Sequence, residues 1–208
     1  MEPTTVPSVP PNEFIKTIYE RRSIRSFVDR DVPDDLITAC LKAANKAPSA
    51  HNQQSWRFIV VRGQKKKELS ELIVNRAAGF PKASAALLRM AARSITSAPV
   101  VVAVANTGEL IEHGKRLFAI DEDKAVDFFR TMEIQSSAAA VENLLLAATS
   151  LGLATVWLGI MYLIKDEVLE LLGEPKGEFM AIVPVGYTSR ETSGPQKKKL
   201  DVIVKRFN

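Results

Sequence analysis

The sequence predicts an α+β fold in which helices pack around a central sheet. Two β-branched runs, "WRFIVVR" (56–62) and "APVVVAVAN" (98–106), are typical of buried strands. Other segments carry apolar residues at helical spacing, and several of them cluster near the start of the chain. Strands and helices therefore do not alternate strictly, which favours α+β over a repeating βα architecture.

The composition is that of an ordinary globular protein. The 208 residues carry a formal net charge of +4, a modest excess that suits anionic small molecules as well as nucleic acid. The single cysteine, Cys40, excludes an intrachain disulfide, and we interpret it as a buried apolar residue. Two histidines, His51 and His113, are too few and too scattered for a zinc site.

The ends and the apolar runs bear on domains and location. Residues 1–11, "MEPTTVPSVPP", lack the basic start and apolar core of a secretory signal, and we expect a flexible arm there. No apolar run reaches the about 18 residues of a membrane span. The prediction is a cytosolic protein with a single domain over 12–208 and no membrane partner.

In the first half of the chain, helix signals precede the first strand. Asn12 is placed to cap a first helix, which runs into the arginine-rich stretch at 21–27. Pro33 opens a second helix, "PDDLITACLKAANKA", and Pro48 ends it. A short helix, "KKKELSELIV", follows the 56–62 strand.

The second half is dominated by one long helix. After a polar stretch over 107–130, we predict a helix over roughly 131–151 that ends at Gly152. Its alanines and apolar residues on several sides indicate burial all round, as at a subunit contact. The remaining elements are a strand "LATVWL", a helix "KDEVLELLG", a strand "FMAIVPVGY" and an extended tail "KKKLDVIVKRF".

Two polar stretches have residue types that suit a ligand. In "RRSIRSF" (21–27), Arg21, Arg22, Ser23 and Arg25 could surround one dianion, because guanidinium groups bind phosphate oxygens in bidentate fashion. A solvated basic turn, or a patch touching nucleic acid, is the alternative. The loop "PSAHNQQSW" (48–56) has amide side chains that suit a heterocycle edge or, equally, a polar surface loop.

In order and spacing, these stretches resemble the nitroreductase family of flavin mononucleotide (FMN) enzymes. The similarity spans roughly residues 13–204 and is most specific in "RRSIRSF" and "PSAHNQQSWRF", with support from "AVENLLLAATSLGLATVWLG". It implies a mostly antiparallel central sheet flanked by helices. It also implies a homodimer that binds FMN at its interface.

The resemblance assigns residues on both sides of the flavin. In the family the arginine–serine turn holds the phosphate and ribityl chain, and the last arginine lies by the pyrimidine carbonyl. The late basic residues close on the phosphate, and the loop at 48–54 reaches the partner's flavin. Backbone N–H groups at the end of "GLATVWLG" face the central-ring nitrogen. The matching positions are Arg21, Arg22, Ser23, Arg25, Lys197, Lys199, Pro48, Ser49, Ala50, Asn52, Gln54, Leu158 and Gly159.

Two features depart from the family pattern. The family commonly has proline before the tryptophan, and this chain has Ser55, so we expect a loosened turn with the site kept. The lysines at the C-terminal end replace the usual arginine, which forfeits bidentate geometry.

The implied mechanism is ping-pong, with hydride passing from NADH or NADPH through the flavin to a nitroaromatic, quinone or similar flat acceptor. No catalytic triad is required. The 107–130 stretch is expected to cover the acceptor pocket, with at least two of Phe118, Phe128 and Phe129 in the core. His51 could donate a proton or be an exposed loop residue.

Other functions stay open on the sequence alone. The same fold supports dehalogenation, azoline oxidation and flavin fragmentation. One alternative is a basic protein that binds nucleic acid through residues 21–25 and 197–199. Such a protein would be colourless, and its binding to DNA or RNA would weaken with added salt. A regulatory module would hold flavin without turnover.

Overall fold

The computed structural model describes residues 12–118, 122–190 and 193–207. The arm predicted at 1–11 lies outside these residues. The helices are α1 (Glu13–Glu20), α2 (Asp34–Ala44), α3 (Gly63–Ala77), α4 (Lys82–Ser97), α5 (Glu109–Leu117), α6 (Glu122–Ser150), α7 (Lys165–Leu171) and α8 (Leu200–Ile203). The strands are β1 (Trp56–Val61), β2 (Val100–Asn106), β3 (Ala154–Thr155) and β4 (Glu178–Gly186).

The four strands form one antiparallel sheet in the order β1-β2-β4-β3. The pairing of β2 with β4 shifts register between Val104 and Ala105, which is the signature of a β-bulge. Every residue of β2 is buried, as expected for a central strand covered on both faces. The predicted α+β class with an antiparallel sheet is confirmed.

Helices cover the sheet on both sides. On one face, α3, α4 and α7 pack residues such as Leu69, Leu88 and Val168 against alternate positions of the strands. On the other face, α2 and α6 contribute Ile37, Leu144 and further apolar residues. This alternation of side chains along β2 is why a single strand supplies both halves of the core.

Several local predictions are confirmed. The Asn12 side chain accepts a hydrogen bond from the Ile15 N–H at 2.9 Å and so caps α1. Cys40 is buried, and burial raises the pKa of its thiol to about 11, so the thiol stays protonated. Gly152 has φ +73° where the long helix ends.

Other predictions were wrong in extent or type. The long helix begins at Glu122 rather than near 131, so α5 and the start of α6 occupy most of the polar 107–130 stretch. The tail forms the short helix α8 instead of an extended segment. "LATVWL" contributes a two-residue strand and a separate bridge from Leu158 to Ile182.

A shallow groove of about 500 Å³ runs between α1, α2 and α6. No residue of α1 is buried, and Phe14 and Tyr19 are each about two-thirds exposed. Among the described residues, no helix combines the length and the apolar character that a membrane span requires.

Candidate functional site

A cavity with a volume of about 780 Å³ lies beside the end of α1. We call it the arginine cavity. It is bounded by the end of α1, the 21–25 segment, α6 and the chain before α8. Its lining includes Ile18, Tyr19, Arg21, Arg22, Ser23, Arg25, Glu142, Gly194, Pro195 and Lys197.

The 21–25 segment is fixed at the edge of the sheet. Ser23 forms a parallel bridge with Thr155, and the Ile24 N–H donates to the Thr155 carbonyl at 2.9 Å. Because successive side chains of an extended segment alternate, Ile24 enters the core while Ser23 and Arg25 face out. The sequence therefore places its polar residues at the cavity by local geometry.

The charges of the arginine cavity favour an anion. Four cationic side chains line it against one carboxylate, Glu142, whose Oε1 lies 3.5 Å from Nε of Arg21. One terminal nitrogen of Arg22 donates to the backbone carbonyls of Tyr19 and Arg21. The Nε of Arg22 is buried and has no hydrogen-bond partner among the described residues. An unpaired donor surrounded by excess positive charge fits a phosphate group.

A glycine of the C-terminal segment, Gly194, lies close against the Arg22 side chain. Gly194 has φ +70°, and a Cβ added there would lie 2.7 Å from Nε of Arg22. Lys197, three residues on, lines the cavity, whereas Lys199 precedes α8 as its N-cap and is not among the lining residues. Lys197 is therefore brought to the arginines, and Lys199 is not.

The loop at residues 48–54, which we call the amide loop, has a strained backbone. His51, Asn52 and Gln54 all have φ between +51° and +53°, a conformation that L residues rarely adopt. The Gln54 N–H donates to the Ser49 hydroxyl, and its side-chain amide donates to the Asn52 carbonyl. Strain of this kind is common at functional sites, since it persists only where surrounding contacts enforce it.

The amide loop does not line the arginine cavity of its own chain. Its attachment is to α6, where the Ala50 N–H donates to the Ser136 hydroxyl at 3.1 Å. Pro48 and Asn52 are exposed, while Ser49 is half-buried. The structure thus separates the two predicted groups of site residues into two regions of one chain.

The turn that ends the loop is tight, so the expectation of a loosened turn at Ser55 was wrong. The Trp56 N–H donates to the Gln54 carbonyl at 2.7 Å, and Ser55 is buried. The Trp56 indole N–H donates to the Asn45 side chain at 3.0 Å, which anchors the start of β1 to the end of α2.

Aromatic rings join the amide loop to α5. The imidazoles of His51 and His113 have ring centroids 5.6 Å apart, so the fold brings together two histidines that we expected to be scattered. Phe118 lies edge-on to His51 at 6.1 Å. Of the three phenylalanines expected near here, only Phe129 is buried, whereas Phe118 and Phe128 are nearly half-exposed. The prediction of two core rings was wrong.

Gly114 explains how Phe129 reaches the core. A Cβ at position 114 would lie 2.2 Å from atoms of the Phe129 ring, so only glycine permits this contact between α5 and α6. Phe129 in turn packs against both exposed rings, at centroid distances of 5.4 Å to Phe118 and 5.1 Å to Phe128.

A buried carboxyl, Glu133, lies where α5 begins. Its Oε1 accepts a hydrogen bond from the Leu110 N–H at 2.9 Å. Burial raises the pKa of Glu133, and the hydrogen bond from Leu110, together with the nearby Ser55 hydroxyl and Gly108 N–H, opposes that rise. Sequence reasoning did not identify Glu133 or Glu142, because a single glutamate on a long helix carries no local signal.

The backbone N–H groups of Leu158 and Gly159, which were predicted to face a ligand, differ in their surroundings. The Leu158 N–H donates to the Ile182 carbonyl at 2.9 Å and is therefore engaged within the sheet. Gly159 is exposed, and a Cβ there would meet no atom within 4 Å. The Leu158 N–H is therefore not available to a ligand, and the prediction stands for Gly159 alone.

Comparison with known proteins agrees with this arrangement. A family model described as "Nitroreductase family" matches residues 18–187. This chain belongs to the nitroreductase family. The match includes the 21–25 segment, the amide loop and every strand of the sheet.

Individual nitroreductase-family relatives differ in what they are named for. A protein of Archaeoglobus fulgidus, named NADH dehydrogenase/NAD(P)H nitroreductase, is 35% identical over 185 residues, covering 86% of this chain and 87% of the relative. Iodotyrosine deiodinase 1 of Rattus norvegicus is 29% identical over 210 residues, covering 92% of this chain and 68% of the relative.

Among solved structures, a nitroreductase with bound FMN from Desulfitobacterium hafniense DCB-2 matches with a TM-score of 0.72. It is 26% identical, and the match covers 95% of this chain and all of that chain.

Proposed function

We propose that this protein is an FMN-dependent oxidoreductase that uses NADH or NADPH to reduce a flat aromatic acceptor. The observation that carries the proposal is the arginine cavity, where four cations, one carboxylate and an unpaired buried Nε of Arg22 surround about 780 Å³. Family membership and the FMN-bound structure of the D. hafniense relative support it.

Each group of the arginine cavity has a role in this proposal. Arg22 and Lys197 bind the phosphate, and the Ser23 hydroxyl adds a hydrogen bond on the same side. Arg21 is oriented by Glu142, which removes part of the conformational entropy that binding would otherwise cost. Arg25, whose guanidinium donates to the Ser23 carbonyl at 3.3 Å, supplies fixed positive charge beside the ring.

The amide loop completes the site in a homodimer. It lies away from the arginine cavity of its own chain, so we propose that Pro48, Ser49, Ala50 and Asn52 contact the flavin bound to the partner, with Gln54 in support. Gly159 offers its N–H to the ring. When bound, the flavin supplies two-electron chemistry, taking a hydride from the nicotinamide and passing electrons to the acceptor.

A second reaction, reductive dehalogenation of a halogenated phenol, is supported by the similarity to iodotyrosine deiodinases, which are 27–29% identical over about 92% of this chain in the mammalian relatives. Both reactions would use the same arginine cavity. They differ in the group that accepts electrons.

The test is spectroscopic. Purified protein should show the visible absorption of bound FMN, and anaerobic addition of NADH or NADPH should bleach it. Subsequent addition of a nitroaromatic, a benzoquinone or 3-iodotyrosine should restore the absorption, and the fastest acceptor identifies the reaction class. A colourless protein that takes up no added FMN would overturn the proposal, and a yellow protein that neither nicotinamide bleaches would overturn its electron donor.

A further inference from the structure

One buried carboxyl touches both the end of the amide loop and the beginning of α5. Glu133 is 1% exposed, and its Oε1 accepts from the Leu110 N–H in the first turn of α5. The hydroxyl of Ser55, the residue that directly follows the amide loop, lies beside the same carboxyl. The Thr107 N–H donates to the Ser55 carbonyl at 3.1 Å, so the two segments also meet through the backbone.

We propose that Glu133 is a positioning residue that locks the amide loop and α5 into one rigid surface on the acceptor side of the site. The amide loop and α5 already share ring contacts through His51, His113 and Phe118. Glu133, on α6, holds the backbone of α5 through Leu110 and lies beside the hydroxyl of Ser55, the residue that follows the amide loop. The acceptor role of this surface rests on the proposed function, whereas the locking itself does not.

Helix capping alone does not account for the site. The Oε2 of Glu133, the Oγ of Ser55 and the Oγ1 of Thr107 are all buried and lack a hydrogen-bond partner of standard geometry among the described residues. Unpaired buried oxygens destabilise a fold, and in native proteins they are rare and concentrated at functional positions. A cap that served stability only would need just the Oε1 of Glu133, and none of these three oxygens.

Ser55 is also a position at which this chain departs from the family pattern. A proline there would carry no hydroxyl to face Glu133. It would also disfavour the left-handed backbone of Gln54, since proline restricts the residue before it towards extended conformations. Serine therefore permits both the strained loop and the contact with the buried carboxyl.

The experiment compares Glu133→Gln, Ser55→Ala and the double variant in the FMN-loaded protein, with Glu68→Gln as the control. Glu68 is a carboxylate of α3 that pairs with Lys65, away from both segments. We measure kcat and KM for 1,4-benzoquinone, the rate of flavin bleaching by NADH, and amide hydrogen exchange over 48–54 and 109–117.

Glu133→Gln should raise the benzoquinone KM about fivefold or more, which corresponds to about 1 kcal/mol of lost coupling, and should leave flavin bleaching within about twofold. Exchange should accelerate in both segments together. The double variant should be no worse than Glu133→Gln alone, because both changes break one contact. Glu68→Gln should match the wild type.

Additive losses, faster exchange in one segment only, or an unchanged KM would overturn the proposal. If the protein neither binds FMN nor reduces the quinone, the proposed function fails, and the exchange data still decide whether Glu133 joins the two segments. If Glu133→Gln does not fold, Ser55→Ala alone must accelerate exchange in both segments, and its failure to do so overturns the proposal.

Discussion

The arginine cavity and the amide loop are prepared for a ligand in different ways. The cavity is a concentration of charge, with four cations and a buried donor that nothing in the described chain satisfies. The loop has no cluster of charge, and its backbone is instead forced into three left-handed residues by contacts to α6 and α5. One region is specified by chemistry and the other by geometry, so they should fail differently when mutated.

The largest effect is expected on the side of the molecule where the amide loop meets α5 and α6. Phe129→Ala removes a fully buried ring and should lower the free energy of unfolding by about 3–5 kcal/mol. Phe128→Ala, its neighbour and control, removes a ring that is 48% exposed and should cost about 1 kcal/mol or less. Urea denaturation measures both. Equal losses of stability in the two variants would show that Phe129 does not anchor the packing of α5 against α6.

In the arginine cavity, Arg22→Ala should leave folding largely intact and weaken FMN binding. Loss of a partly buried phosphate ligand should cost about 2 kcal/mol or more, a decrease in affinity of about 30-fold. Fluorescence titration of FMN measures this loss. Arg93→Ala, which removes an exposed arginine of α4, is the control, and comparable loss in that variant would point to a general charge effect.

A smaller effect separates contact from backbone strain. Gly194→Ala and Gly173→Ala both place a side chain at positive φ, +70° and +79°, and each should destabilise the fold by about 1–2 kcal/mol. Only position 194 lies against Arg22, whereas an added Cβ at 173 meets nothing within 4 Å. FMN titration should therefore show weaker binding in Gly194→Ala alone.

The smallest expected effect is a pH dependence of stability that arises from Glu133, beside the amide loop and α5. Because burial raises the pKa of Glu133, the native state binds its proton more tightly than the unfolded chain does. This contribution to stability is complete below pH 4.5 and is lost as pH rises through the folded-state pKa. The slope is at most about 1.4 kcal/mol per pH unit. Denaturation of Glu133→Gln across about pH 4–8 should lack this slope, and an unchanged slope would assign it elsewhere.

The sequence predicted the arginine cavity better than the surroundings of the amide loop. Residues 21–25 act through local alternation along one short segment, so composition and order were enough to bring them to one cavity. The same holds for the Asn12 cap and for the β-branched strands, whose signals lie within a few residues.

What sequence reasoning missed depends on distant contacts. The burial of Phe129 requires the missing side chain of Gly114, and the Leu158 N–H is consumed by Ile182, 24 positions along the chain. The helix α4 was not predicted because its apolar stripe is largely alanine. No pattern in the sequence indicates that His51 and His113 meet.

The pairing of Gly114 with Phe129 also defines how substrate preference can be redesigned. Mutant libraries that randomise Phe118 and Phe128 would sample new shapes of the surface that we propose to face the acceptor, since both rings are nearly half-exposed and each touches the buried ring. Position 114 should be left unchanged in such libraries, because any larger residue would push the central ring out of its place and scramble the surface being designed.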